Sequence, residues 1–596
     1  LITTIILNDM SAGTYSISGF YERRAKRILP ALAVVILATL PFVWFWMMPG
    51  QLAAFAKSLA ATVGFVSNFY FLDQIDYFAT AADEQPLLHT WSLAVEEQFY
   101  LFMPVLLLAC RRLGVRRLLW VVIALAVISF AVAQRGSIRH PEENFFELKS
   151  RIWELLVGSI LAMVQLRCVL RERVSLLVAS VLSWVGLLAI VAAVVFFSDQ
   201  TPMPSVWALL PTVGAALFIA FASAENSAGK LLGSKWPVAI GLISYSVYLW
   251  HFPVFALARI RFEYHNDDLL LATIMIMLTL LLAFCSYRWV EQPCRKATVP
   301  QRQVFAMVGG GMAFMLMIAM VGVVGKGFPS RLDDVQQGRL RLIADAQREV
   351  MFDNGHCIFN DENVTEVFKK RFLQCAQQYQ KAVLIIGDSH GRDMYNALAT
   401  NTNRPFVVGV THHGCRPQIE KPACQYKQVS EFVELNASYI EAVFYDQAGQ
   451  HFLRHETMLP FKKDEIAKAQ DYLLNLALFT RVFWIGPQAE PDVDLQNMNI
   501  LFRAVTAKDA TSENKLIYAV DEFLEKSNRD KSIEYISTLR ILQYEFERDF
   551  FIEGQYTYAD KHHWSSAGER YFGKRLLINP TLSSIMLSGS KPVLIH

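Results

Sequence analysis

A strand-like run, Ala382-Val383-Leu384-Ile385-Ile386, stops at Gly387-Asp388-Ser389-His390, and far downstream the chain carries Asp560-Lys561-His562-His563. A serine hydroxyl is a weak nucleophile until an imidazole takes its proton, and a carboxylate is needed to orient that imidazole. Ser389, His563 and Asp560 supply such a set. Their spacing of three lets Asp560 and His563 face one site, whereas the side chain of the adjacent His562 should diverge, so His563 is the expected base. The chemistry is nucleophilic attack on an acyl group. A second set lies near the other end. His89 precedes an apolar run, and Glu96 and Glu97 lie within it; ionisable groups at membrane depth are costly and by default mark paired or functional sites. Third, Arg23, Arg24 and Arg27 come just before Ile28-Leu29-Pro30-Ala31-Leu32, where arginines can bind phosphate or anchor a membrane helix.

Each set needs a frame. A nucleophile at the carboxyl end of a strand, on a tight glycine turn into a helix, has its Oγ exposed and helix N–H groups ready for an oxyanion. From residue 381 on, short apolar runs at 382–386, 405–410, 441–445, 480–486 and 516–520 alternate with polar stretches such as 460–478 and 531–549, which read as helices. That alternation predicts a soluble α/β domain with a parallel sheet over 381–596. Residues 326–380 are mixed and charged, and are expected to be linker and extension.

The first 325 residues read as a multi-pass α-helical membrane domain. Apolar stretches at about 28–48, 92–110, 118–134, 151–166, 174–197, 206–222, 239–257, 269–287 and 304–324 are near spanning length. Basic clusters at 23–27, 111–117, 167–173 and 288–302 mark the cytoplasmic side. A further segment, 52–72, would make three crossings between the first two clusters, an odd number that cannot return the chain to the same side. With Lys57, Ser58, Thr62, Gly64, Ser67 and Asn68 in it, this segment is expected to be re-entrant. Everything after Lys326 then lies outside.

With 53% hydrophobic and 18% charged residues and a net charge of +2, the chain is too apolar for a wholly soluble protein, and nothing points to nucleic acid. Eight cysteines include no CxxC pair, so no metal is expected. Cys110, Cys168, Cys285 and Cys294 fall in the apolar half. Cys357, Cys375, Cys415 and Cys424 fall in the polar half and could form two disulfides, Cys415 with Cys424 being one option. The chain opens at Leu1 rather than Met, which suggests upstream sequence.

The soluble motifs resemble the SGNH hydrolase family, with Gly387-Asp388-Ser389 as its first block and Asp560-x-x-His563 as its last. The resemblance implies an oxyanion hole made by the Ser389 amide, a glycine for which Gly414 is the candidate, and an asparagine. No GxND block is present; the strand-end candidates are Tyr445-Asp446-Gln447 and Gly486-Pro487-Gln488. The membrane half is similar to the acyltransferase-3 family, through RRAKRILPAL at 23–32, HTWSLAVEEQFYLFMP at 89–104, SRIWELLVGSILA at 150–162, ISYSVYLWHFPV at 243–254 and SYRWVEQPCRK at 286–296. The fused arrangement resembles bacterial O-antigen O-acetyltransferases.

That resemblance implies acetyl-CoA as cytoplasmic donor, with Arg23, Arg24 and Arg27 on its phosphates and Glu96, Glu97 and His89 at a polar membrane site. It implies transfer to a hydroxyl of a surface glycan such as lipopolysaccharide O-antigen, by a protein of the bacterial inner membrane whose C-terminal domain is periplasmic. It also implies an essential histidine on a membrane helix preceding Leu1. Two other readings use the same residues: an esterase trimming glycan acetyl groups, and an exporter of acylated glycan with a binding-only soluble domain.

Overall fold

The computed structural model describes residues 2–587 apart from 75–81, 168, 199–200, 263–268, 349, 420–423, 454–460, 494, 496, 503–506, 509–510 and 530. Cys168 lies outside the described residues. The chain divides into two compact units, Leu1–Pro329 and Ser330–His596.

Among the described residues of the first unit, seven helices are long and apolar enough to cross a membrane: Ile17–Trp46, Thr90–Ala109, Arg111–Arg139, Leu176–Phe196, Lys235–Phe262, Leu269–Lys296 and Gln301–Val324. Two of the nine expected spans are not among them. Helix Leu148–Gln165 covers the expected span 151–166 but carries Lys149, Arg151 and Glu154. The expected span 206–222 is a shorter apolar helix, Val206–Phe221. The large side chains Leu177, Val194, Phe196 and Leu269 are more than 70% exposed, as lipid-facing residues of spanning helices should be. Helices Leu176–Phe196 and Leu209–Phe221 meet at two glycines, since a Cβ on Gly186 would lie 2.5 Å from the Gly214 carbonyl. Small residues at such crossings let backbones approach closely.

Segment 52–72 does not form one span. It breaks between helices Pro49–Val63 and Ser67–Asp73, with Phe65 at φ +52°, and Tyr70 Oη donates to the Ala54 carbonyl at 3.0 Å. The chain therefore turns back on itself within this segment.

The second unit holds a six-stranded parallel sheet in the order β1-β3-β2-β4-β5-β6. The strands are β1 Ile358–Asp361, β2 Ala382–Gly387, β3 Val407–Thr411, β4 Ile440–Asp446, β5 Arg481–Ile485 and β6 Ile533–Ile536. All six residues of β2 are buried, which is the signature of a central parallel strand covered on both faces. Two strands depart from the sequence reading. Edge strand β1 falls in the stretch expected to be linker, and β6 falls in 531–549, expected to be helical. The run at 516–520 lies instead within helix Thr511–Asn528. There Ile517, Val520 and Leu524 are buried while Leu516 and Tyr518 are exposed, a helical repeat that five residues are too few to reveal. Disulfides join Cys357 to Cys375 and Cys415 to Cys424.

Candidate active site

The nucleophile turn is built by close packing. Gly387 pairs with Asp446 in the sheet register, and a Cβ on Gly387 would collide with the Asp446 carbonyl oxygen and come within 2.9 Å of Gly391 Cα. Only glycine lets the strand end so close to its neighbour. Asp388 then caps helix Ser389–Asn401, its carboxylate accepting from the backbone N–H of His390 at 3.0 Å and of Ala448 at 3.1 Å. Ser389 is the first residue of that helix, where N–H groups have no partner within the helix and the dipole favours an anion. Burial pushes the Asp388 carboxyl up to about 6, against the two backbone N–H groups and the nearby Arg416 and His563.

The base arrives on a tight loop. Tyr558 bridges Trp564, the Ala559 N–H donates to the His563 carbonyl at 2.9 Å, and the N–H groups of His562 and His563 both donate to Asp560 Oδ1, at 2.6 and 2.8 Å. This closure turns the Asp560 carboxylate onto the ring of His563. His563 Nδ1 lies 2.8 Å from Asp560 Oδ2, and His563 Nε2 lies 3.0 Å from Ser389 Oγ. Burial alone would push the Asp560 carboxyl up, but the His563 hydrogen bond and charge and the His562 N–H hold it down at about 2. Asp560 is therefore a carboxylate throughout the physiological range, fixing the proton of His563 on Nδ1 and leaving Nε2 to accept from Ser389.

Two further contacts tie the base loop to the nucleophile helix. One turn beyond Ser389, Asp393 accepts from the Trp564 N–H at 2.9 Å, and Asn396 Nδ2 donates to Glu569 at 2.7 Å. Asp393 and Glu569 are both buried, and burial raises both carboxyls, with repulsion from Glu569 adding to the rise at Asp393. The sequence reading missed these positioning residues because neither belongs to a motif.

Gly414 sits in a turn after β3 at φ +63°, followed by the disulfide-bonded Cys415. At the end of β4, the Gln447 side-chain oxygen accepts from Tyr445 Oη and, at 3.1 Å, from Gln418 Nε2. Its Nε2 is buried with no hydrogen-bond partner among the described residues. His413 is pulled down to about 3 by burial, by Arg392 and by His563.

In the first unit the expected residues fall into two groups along helix Thr90–Ala109. His89, 5% exposed, stands at its N-cap against the rings of Tyr248, His251 and Phe252, with centroids 5.3, 5.5 and 5.7 Å away. Tyr248 Oη donates to the His89 carbonyl at 2.5 Å and lies 2.9 Å from Ser92 Oγ. Glu96 comes seven residues later, about 10 Å further along the axis. It accepts from Tyr100 Oη at 3.2 Å, and the Arg24 guanidinium lies 4.1 Å from the Tyr100 ring centroid. Arg23 pairs instead with Asp9 at 3.0 Å. Tyr248 and His251 were not singled out in the sequence, although they belong to the quoted string ISYSVYLWHFPV. Within the string SYRWVEQPCRK, Glu291 is buried in one turn of π-helix, accepting from Ser246 Oγ and Arg295 at 3.2 Å each.

Residues 4–288 match a family model described as an acyltransferase domain, and residues 352–577 match the SGNH domain that is fused to such domains. O-acetyltransferase OatA of Staphylococcus aureus strain NCTC 8325 is 29% identical over 306 residues, 50% of this chain and 50% of that protein. The chain thus spans about half the length of the curated OatA relatives it matches. A provisionally named O-acetyltransferase of Staphylococcus aureus strain MRSA252 is 27% identical over 466 residues, covering 73% of this chain and 75% of its own. Among solved structures, the periplasmic domain of a lipopolysaccharide acetyltransferase from Salmonella ser. Paratyphi A is 16% identical, with a TM-score of 0.29, over 43% of this chain and 99% of that one.

Proposed function

We propose, from the match of residues 4–288 to the acyltransferase domain and of residues 352–577 to the SGNH domain fused to such domains, an O-acetyltransferase that carries acetyl from cytoplasmic acetyl-CoA to a hydroxyl of a surface glycan such as lipopolysaccharide O-antigen. The observation that carries this reading is the unbroken hydrogen-bonded line Ser389–His563–Asp560 in a protein whose other unit is a membrane acyltransferase domain. In the first half-reaction Ser389 Oγ attacks the acetyl carbonyl, and its proton passes to His563 Nε2 and then to the leaving group. In the second, the glycan hydroxyl attacks acetyl-Ser389, gives its proton to His563, and His563 returns it to Ser389 Oγ. Asp560 stabilises the imidazolium formed in each half.

The oxyanion is held by the Ser389 amide at the helix N-terminus and by the Gly414 amide. Gln447 Nε2, buried at the strand end beside Gly387 without a partner among the described residues, takes the place of the missing asparagine. In the membrane, Arg23, Arg24 and Arg27 bind the phosphates of coenzyme A, and Glu96, Glu97 and His89 line the polar path of the acetyl group. The basic clusters support a cytoplasmic side for the arginines and an outer side for Ser389. Two disulfides in the soluble unit support an oxidising compartment, the periplasm of a bacterium with this protein in its inner membrane.

Ser389→Ala in the full chain tests the reading. Glycan O-acetylation, measured by mass spectrometry of surface polysaccharide, should fall to the level of cells lacking the protein. Unchanged acetylation would remove Ser389 from the reaction.

A further inference from the structure

His562 precedes the base, and its ring turns to different partners. Its Nδ1 lies 3.2 Å from Glu490 Oε1 and 2.7 Å from Gln450 Nε2, and Gln450 Nε2 also donates to Glu490. Glu490 is 1% exposed. It is fixed by a two-way clasp, its N–H donating to Asn514 Oδ1 at 2.9 Å and its carbonyl accepting from Asn514 Nδ2 at 2.7 Å. A buried carboxylate is tolerated when a cation meets it, and the imidazole of His562 is the group that does. Unlike Glu490, the His562 side chain keeps 39% of its exposure.

The result is a second carboxylate–imidazole pair beside the first. The rings of His562 and His563 are 6.3 Å apart, and the backbone N–H groups of both residues share Asp560 Oδ1. With Nδ1–H donating to Glu490, the opposite nitrogen, Nε2, is left with no partner among the described residues. The His562 side chain is partly exposed, and its ring lies 6.3 Å from that of His563, whose Nε2 meets Ser389 Oγ.

We propose that His562, held by Glu490, is an acceptor-binding residue whose Nε2–H donates to an oxygen of the sugar beside the hydroxyl that receives the acetyl group. This rests on the acetyl-transfer reading above and adds to it the group that tells a sugar from water. A charge-assisted hydrogen bond to a sugar oxygen orients the acceptor over acetyl-Ser389; water, with one oxygen, cannot use both His562 and His563. The charged and titratable groups around the imidazole are Glu490, Asp560, Lys561, His390, His451 and His563. Burial pulls its proton off, but Glu490 and Asp560 outweigh burial and Lys561, so the net direction is upward.

The test uses the detergent-solubilised full chain, with p-nitrophenyl acetate as donor and a panel of methyl glycosides as acceptors. His562→Gln, at a partly exposed position that spares the core, is expected to raise acceptor KM about tenfold and to slow transfer far more than acylation. Glu490→Gln is expected to move the pH at which acceptor KM climbs downward, because the imidazolium loses its counter-charge. An unmoved acceptor KM in His562→Gln, or a Glu490→Gln loss equal at every pH, would overturn the inference while leaving the Ser389 reading intact. Acetyl transfer by Ser389→Ala, or no transfer by the unaltered chain to any sugar of the panel, would overturn the underlying reading and this inference with it.

Discussion

The two units hold their polar residues in contrasting ways. In the second unit, Ser389 and the distant Asp560 and His563 meet in a line of hydrogen bonds of 2.8 and 3.0 Å. In the membrane unit, polar residues are spread along one helix, from His89 at its N-cap to Glu96 two turns and Tyr100 three turns further along, among aromatic rings and hydroxyls. The first arrangement suits covalent catalysis at a fixed point. The second suits passage, in which a group is met at successive depths and each residue contributes less.

Three substitutions break that contrast in order of expected effect. Asp560→Asn removes the counter-charge and the tautomer control of His563, and should cut acetyl transfer by about a thousandfold or more, measured as label transfer from acetyl-CoA to glycan in membranes. A loss of only a few-fold would mean that Asp560 merely shapes its loop. Glu97→Gln should lower acetyl-CoA-dependent transfer by about a hundredfold yet leave the hydrolysis of p-nitrophenyl acetate by the soluble unit within a factor of about two. Equal losses in both assays would show that the units do not act separately.

The smallest effect concerns stability. An Asp388 carboxyl ionises near 3.8 in the unfolded chain and near 6 when folded, so its burial costs stability as pH rises through that interval. Asp388→Asn keeps an oxygen for the His390 and Ala448 N–H groups without the charge. Its stability relative to the parent should improve between pH 4 and pH 8 by roughly 2 kcal/mol, read by thermal unfolding at each pH. A difference that does not vary with pH would place the ionised form at no disadvantage.

The same contrast explains what was legible in the sequence. Ser389, Asp560 and His563 could be named because their spacing and turn chemistry are local, and the all-apolar run 382–386 announced a central strand. Strands β1 and β6 were missed because each is four residues long and has only two buried side chains. The choice of His563 over His562 followed from spacing, but the partner of His562 could not be foreseen. Glu490 lies in a loop after β5, and only the packed sheet brings it to the base loop. Likewise, helix Leu148–Gln165 looked like a span because Leu155, Leu156 and Val157 are apolar, while Arg151 and Glu154, 3.6 Å apart, make it partly polar.

The most direct measurement is the acetyl occupancy of the Ser389 peptide in membranes supplied with isotopically labelled acetyl-CoA, compared between the unaltered chain and Glu97→Gln. Label on Ser389 that appears before label on the glycan, and that is lost in Glu97→Gln, is the expected result. Labelled glycan with Ser389 never labelled, in the unaltered chain and in an acceptor-starved preparation alike, would contradict a relay through the serine.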